Sequence, residues 1–462
     1  MRDVTLDADA PTPAHETALA CLRDAVEAVL PYRVVRDSVS LDGETLTVAD
    51  ESYDLGGFDR IVVVGGGKAA NGVADALEAV LGERIDAGAV VTPNPEDSGE
   101  SSESGESSDD GGRIERLPGD HPVPSQRGVE SSRRLVEILD AADERTLVLA
   151  AITGGGSAVI PTPAEGISLS DLRTTTDELL RSGADISELN AVRKHLSTLK
   201  GGGLAERAAP ATVVGLMLSD VVGNDLGVIA SGPTAPDETT YDDALSVLDR
   251  YDLSVPESVR DRLERGAAGE VPETPTRGDA VFERVHNHIL ADGHTALSAA
   301  RDAARERGYD ALVLSSRVRG EAREAAKTHA AVAEEAAATG DPLSPPAVVL
   351  SGGECTVTVR GDGEGGPNLE FCLSAARELD ARAVVAALDS DGEDGGTTVA
   401  GAIVDDETVE SGDEAAAALA ENDALPYLRD RGALIRTGPT GTNVNDLRVV
   451  VVGGGADDAG GD

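Results

Sequence analysis

The chain has 462 residues with 39 basic and 85 acidic side chains, a formal charge of −46, no Trp, 3 Phe and 6 Tyr. So few cations and aromatics argue against a nucleic-acid partner, which requires Lys and Arg to displace counterions and aromatic faces to stack on bases. No stretch approaches the roughly 20 uninterrupted apolar residues of a membrane span, and residues 1–30 lack the basic start and apolar run of a leader, so the expectation is a cytoplasmic protein of two or three domains with no membrane partner.

A hydrophobic content of 40% is enough for cores of ordinary size. The cysteines Cys21, Cys355 and Cys372 have neither metal-ligand spacing nor an even count, and read as small buried residues. Lys68, Lys194, Lys200 and Lys327 are the only lysines, so Arg carries nearly all the positive charge. Acid excess with scarce lysine resembles proteins of salt-loaded cytosols, where a Debye length of roughly 3 Å at 1 M makes a self-repelling surface tolerable. The fold is expected to need molar salt and to lose its circular dichroism on dialysis into dilute buffer.

In chain order, short β-branched runs at 61–64, 88–91, 147–152 and 212–218 precede further runs at 312–314, 348–350, 384–388 and 449–452. Amphipathic segments at 69–81, 126–139, 296–307 and 321–337 lie between them. Continuous apolar strands alternating with helices predict an α/β fold with mostly parallel sheets. Residues 96–112 hold acids, Ser and Gly with almost nothing to bury, and read as a disordered surface loop. A proline-rich shift at 233–279, around two short helical patterns, puts a connection at 241–285 between a first domain at 1–240 and a second at 286–462.

The candidate chemistry sits in glycine-rich turns after strands. Gly65, Gly66, Gly67 and Lys68 end the first run and open a helix, a geometry in which backbone N–H groups approach an anion and the lysine adds a full charge. The spacing is neither that of a Walker loop nor a clean Gly-x-Gly-x-x-Gly. Gly154, Gly155, Gly156 and Ser157 end the third run; Ser157 lacks the Gly-x-Ser-x-Gly elbow of a hydrolase, so anion cradling is the better reading. The segment with Arg193, Lys194, His195 and Lys200 forms a basic stripe suited to an anionic substrate, with His195 read equally as a base or as a hydrogen-bonded structural residue. Asp220, Asp391 and Asp394 follow strands in polar turns, where an α/β enzyme holds Mg²⁺ or positions a hydroxyl; the alternative is solvated surface charge. Ser231 and Gly232, Glu354, and Thr440 with Asn443 lie in three more polar turns.

These segments carry a resemblance. Gly65 to Ala70, the Gly-Asp-His-Pro at 119–122, 153–158, the Asn-x-Val-Arg-Lys-His-Leu-Ser at 190–197, Ser231 to Thr234, 351–354 and 437–446 together resemble the glycerate 2-kinase family with a MOFRL domain, over about 15–453. The resemblance implies a Rossmann-like three-layer first domain, a second α/β domain with a mixed sheet, and ATP- and Mg²⁺-dependent transfer of phosphate to the 2-hydroxyl of D-glycerate. It assigns Lys68 an active-site role. The family's Arg or Pro followed by Asn-Gln-Glu reads Pro367, Asn368, Leu369 and Glu370 here, so any guanidinium role falls to an arginine elsewhere, of which Arg193 is the first candidate.

On this reading Lys68, Arg193 and Asp220 are catalytic, and Lys194, His195, Ser157 and Lys200 bind substrate. The glycine turns with Ser231, Gly232, Glu354, Thr440 and Asn443 hold the nucleotide, Asp391 and Asp394 hold the metal, and a homodimer is the candidate assembly. The alternatives are an NAD(P)H-dependent hydroxypyruvate reductase, a name often given to relatives, and a non-catalytic binder of a small acid. A reductase needs a dinucleotide fingerprint that Lys68 interrupts, and a binder has no need of two cradles with acidic turns.

Overall fold

The computed structural model describes residues 4–95 and 112–453. The stretch read as a disordered loop at 96–112 therefore lies outside the described residues except for Gly112. By internal contact the chain divides into two units, one of Pro31–Leu290 and one joining Met1–Leu30 to Ala291–Asp462.

The Pro31–Leu290 unit is built on a six-stranded sheet in the order Ile114–Pro118, Ala87–Thr92, Arg60–Gly66, Thr146–Thr153, Thr212–Leu218, Val285–Ala291. Counted along the chain this is the order 3-2-1-4-5-6, and the first five strands pair in parallel. That is the doubly wound Rossmann arrangement, in which ligands gather where the strand order reverses. Thr146–Thr153 is buried at every position, as a continuous apolar run between two layers must be. Gly65 and Gly66 sit in register with Ala151 and Ile152, so the two glycine turns leave the sheet side by side at the reversal point. Beneath them Val62, Val64, Val148, Ala150 and Ile152 form the core, each larger side chain contributing about 1.5–3 kcal/mol by burial.

Residues 241–285 are not a connection between bodies. Helices Tyr241–Arg250 and Glu257–Ala267 bury Tyr241, Leu248, Val259 and Leu263 against Leu179, Val192 and Leu196, making a core of their own inside this unit. The prolines mark the loops of that small helical layer. The 1–240 boundary also shifts: helix Pro13–Ala28 buries Ala18, Leu22 and Ala25 and packs on Gly293–Glu306 of the other unit. Its amphipathic pattern shows that one face is buried, and cannot show by which neighbour.

The other unit carries a mixed sheet in the order Asp310–Glu321, Ala347–Thr356, Asp446–Val452, Ala383–Asp389, Gly401–Asp405, Leu434–Ile435. The first pair is parallel and the rest antiparallel. Asp446 lies opposite Gly353 on one side and Asp389 on the other, which gathers the polar turns of this unit at one end of its sheet. All three cysteines are buried, and among the described residues no helix is long and apolar enough to cross a membrane.

Candidate active site

The two glycine turns of the Pro31–Leu290 unit are hydrogen-bonded to each other. Lys68 N donates to Gly154 O at 2.8 Å, Ala69 N to Thr153 Oγ1 at 3.2 Å, and Gly67 N to Val91 O at 3.0 Å. Gly67 has φ of +135°, and a Cβ there would strike Thr153, so this closeness depends on glycine. At Gly154 the space of a Cβ is taken by the Asp220 carboxylate, and at Gly155 a Cβ would stand 2.9 Å from His121 Cδ2 and 3.3 Å from Lys68 Cγ. Lys68, Asp220 and His121 thus converge on the second turn. His121 was passed over as a site residue; its only signal was its place in the Gly-Asp-His-Pro motif.

The basic stripe divides into spent and unspent charges. Helix Ile186–His195 starts in a capping box of Asp185 and Glu188 and ends with Arg193, Lys194 and His195 in its last turn, where positive charge suits the helix dipole. The charge of Lys194 is already paired: its Nζ lies 3.0 Å from Asp237 Oδ1, both side chains being buried. Burial raises the Asp237 carboxyl, yet the Lys194 charge and the Thr239 hydrogen bonds outweigh it and hold the group below its ordinary value. His195 is structural as well, with Nδ1 2.6 Å from Ala191 O and Nε2 3.0 Å from Glu273 Oε2. Both ring nitrogens are engaged, which leaves no free base.

Arg193 and Lys200 are different. Arg193 forms no ion pair among the described residues, and burial lowers its affinity for the proton. Lys200 donates to Ile160 O at 3.2 Å, and burial followed by the charge of Arg193 pushes its ammonium down to about 7. A buried and a half-buried cation that repel each other, with no ion pair to either among the described residues, are costly unless an anion joins them. Close by in sequence and fold, Ser157 Oγ is 2.8 Å from Ser231 Oγ, which donates to Asn190 Oδ1 at 2.8 Å. Ser231 is 1% exposed, so it reaches a ligand only through Ser157, and Gly232 closes its turn in the left-handed region.

In the other unit the acidic turns split the same way. Asp394 is 1% exposed and accepts from Asn368 N at 3.0 Å, Leu369 N at 2.9 Å and Asn368 Nδ2 at 3.1 Å. Its carboxylate closes the first turn of helix Pro367–Glu378, so the oxygens expected to hold a metal already accept hydrogen bonds from the chain itself. Burial, only partly offset by those hydrogen bonds, raises Asp394 to about 7. Pro367 stands at the first helical position, where a missing N–H costs nothing, and Leu369 is buried in the core. Asp391 accepts from Glu393 N at 3.0 Å in a half-exposed turn, and its neighbour Asp389 is raised well above the ordinary carboxylate range by burial and by the charges of Asp391 and Asp446. Thr440 donates to Ser390 O at 2.6 Å and Asn443 accepts from Asn445 N at 2.9 Å, both shaping the neighbouring loop, while Glu354 is exposed at the end of its strand.

A model of a domain of unknown function, DUF4147, matches residues 17–264, and a model of the MOFRL family matches 347–446. Over 446 residues the chain is 39% identical to a glycerate 2-kinase of Pyrococcus horikoshii, a match that covers 95% of this chain and 97% of that one. It is 39% identical over 402 residues to an Agrobacterium vitis protein provisionally named a hydroxypyruvate reductase, covering 85% of this chain and 87% of the other. The crystal structure of a glycerate kinase from Thermotoga maritima is similar with a TM-score of 0.79 at 37% identity, covering 95% of this chain and 99% of that chain.

Proposed function

The chain belongs to the glycerate kinase family that joins a DUF4147 domain to a MOFRL domain, and from there we propose that it is a glycerate 2-kinase, moving a phosphoryl group from ATP to the 2-hydroxyl of D-glycerate to give 2-phosphoglycerate and ADP. The observation that supports this reading best is the pair of joined glycine turns at the strand-order reversal, with Lys68 and Asp220 beside them and two unspent cations near by. Phosphoryl transfer needs positioning and charge stabilisation more than covalent chemistry, and these groups supply both.

In this mechanism Lys68 neutralises charge on the transferring phosphoryl group. Arg193 and Lys200 hold the glycerate carboxylate, the part that a spent Lys194 cannot play. Asp220 orients the attacking hydroxyl and takes its proton. Mg²⁺ offsets the charge of nucleotide phosphates and needs only one or two carboxylates from a protein. Asp391, in its half-exposed turn, fits that requirement where Asp394 does not. Asp391→Asn is expected to shift the Mg²⁺ concentration for half-maximal rate upward; an unchanged titration removes Asp391 from the site.

The deciding assay supplies D-glycerate, ATP and Mg²⁺ in molar KCl and separates 2- from 3-phosphoglycerate. Formation of 2-phosphoglycerate supports the reading and its regiochemistry. NADH oxidation with hydroxypyruvate and no ADP release would replace it with the reductase.

A further inference from the structure

One buried group beside the glycine turns has no part in this mechanism. Asn190 is 3% exposed on helix Ile186–His195; its Oδ1 accepts from Ser231 Oγ at 2.8 Å, and its Nδ2 has no partner among the described residues. A buried donor without an acceptor is costly, and such groups call for a reason. Turning the carboxamide over does not remove the problem, because Oδ1 is then the atom left unpaired. In both orientations one polar atom of Asn190 takes its partner from outside the chain.

The same carboxamide sets the direction of the hydrogen bonds that lead to the turn. In the orientation that sets Oδ1 against Ser231, the one hydroxyl proton of Ser231 goes to Asn190 Oδ1, since a carbonyl oxygen can only accept. Ser231 Oγ therefore accepts the proton of Ser157 Oγ at 2.8 Å. With its proton turned inward, Ser157 has only lone pairs left for a ligand. It is an acceptor for a hydroxyl, not a donor to a phosphate. The segment that presents Ser231 is itself held in an uncommon conformation: Ala230 has φ of +50° and Ser231 of +63°, neither being glycine. Local strain of this kind persists where surrounding structure enforces a position.

We propose that Asn190 is a substrate-binding and specificity residue. Nδ2 donates to a carboxylate oxygen of the substrate, and the hold of Oδ1 on Ser231 makes Ser157 an acceptor for the hydroxyl of the same molecule that Asp220 does not deprotonate. The pair recognises a hydroxy acid, a carboxylate and an alcohol a bond or two apart, while Arg193, three residues further along the same helix, adds the charge. This rests on the glycerate kinase reading above and assigns the hydrogen bonds that would select its substrate.

The test is steady-state kinetics of wild type, Asn190→Ala, Asn190→Asp and Ser231→Ala, with KM for glycerate and for ATP and the thermal midpoint measured for each. Asn190→Ala is expected to raise KM for glycerate about tenfold, the effect of one hydrogen bond to a charged group. Asn190→Asp raises it further by setting a negative charge against the carboxylate. Ser231→Ala frees the Ser157 proton and raises it by a smaller factor. In all three, KM for ATP stays within about twofold and the midpoint does not fall. Unchanged KM for glycerate in both Asn190 variants overturns the inference, as does a parallel loss for both substrates with a lowered midpoint, which marks a structural residue. If Asn190→Ala does not fold, Ser231→Ala decides by the same ratio of the two KM values. A wild type that does not phosphorylate glycerate brings down the kinase reading instead, an outcome visible before any variant is made.

Discussion

The helix end at 193–200 and the acidic turn at 389–394 present the same composition problem with opposite solutions. In the first, the half-buried Arg193 and the buried Lys200 form no ion pair, and Asn190 Nδ2 no hydrogen bond, among the described residues. In the second, the buried carboxylate Asp394 accepts from two backbone amides and a side-chain amide of its own unit. The difference separates groups that hold the fold together from groups that wait for a ligand. Burial alone does not make it: Lys194 and Lys200 are buried to nearly the same degree, at 6% and 7% exposed, yet among the described residues Lys194 forms an ion pair and Lys200 forms none.

The sharpest way to break this comparison is to remove one charge of each kind. Lys68→Ala, at the joined turns, is expected to lower kcat by about 10²–10³ with an unchanged melting curve, the usual cost of losing one preorganised charge at a reacting centre. Near-normal turnover would take Lys68 out of the mechanism. Lys194→Ala leaves Asp237 buried and unpaired and is expected to destabilise by about 3–5 kcal/mol in denaturant titration. A stability loss below about 1 kcal/mol would mean that the pair is not a structural unit. Asp394→Ala strands two buried N–H groups at a helix start, for an expected loss of about 3 kcal/mol, and leaves the Mg²⁺ titration where it was. A shifted titration would restore Asp394 as a ligand.

Much of the fold was legible because its strands are apolar on both faces. The runs at 61–64 and 147–152 extend by only a residue or two at either end, into Arg60–Gly66 and Thr146–Thr153. Ile114–Pro118 and Val285–Ala291 were missed: as edge strands, they alternate or carry Glu115, Arg116 and three polar or charged positions through His288. The site was legible to the level of the turn and no further. Spacing marked Lys68, Ser157 and Arg193 as neighbours of glycine-rich backbone, but whether Lys194 meets an acid depends on Asp237, 43 residues away. The hydrogen bonds of Asp394 were out of reach for the same reason, since its partners belong to a helix start 25 and 26 residues earlier. Asn190 stood inside a recognised motif with no role, and its three-residue spacing from Arg193 on a helix was the available clue.

The smallest effect is also the most specific. Burial and the nearby Arg193 lower Lys200 from 10.5 to about 7 in the folded chain. Between those two values the unfolded state binds the extra proton, so stability contributed by this group rises with pH across that window, by the sign of the proton difference. Binding runs the other way. The glycerate carboxylate stays ionised throughout, and it is attracted only to the protonated ammonium. KM for glycerate is therefore expected to increase severalfold as pH rises from about 7 to 9, while the melting midpoint climbs over the same range. Lys200→Met should flatten both slopes and hold KM at its high-pH value. If KM does not change with pH in the wild type, Lys200 does not touch the anion, and Arg193 supplies the charge without it.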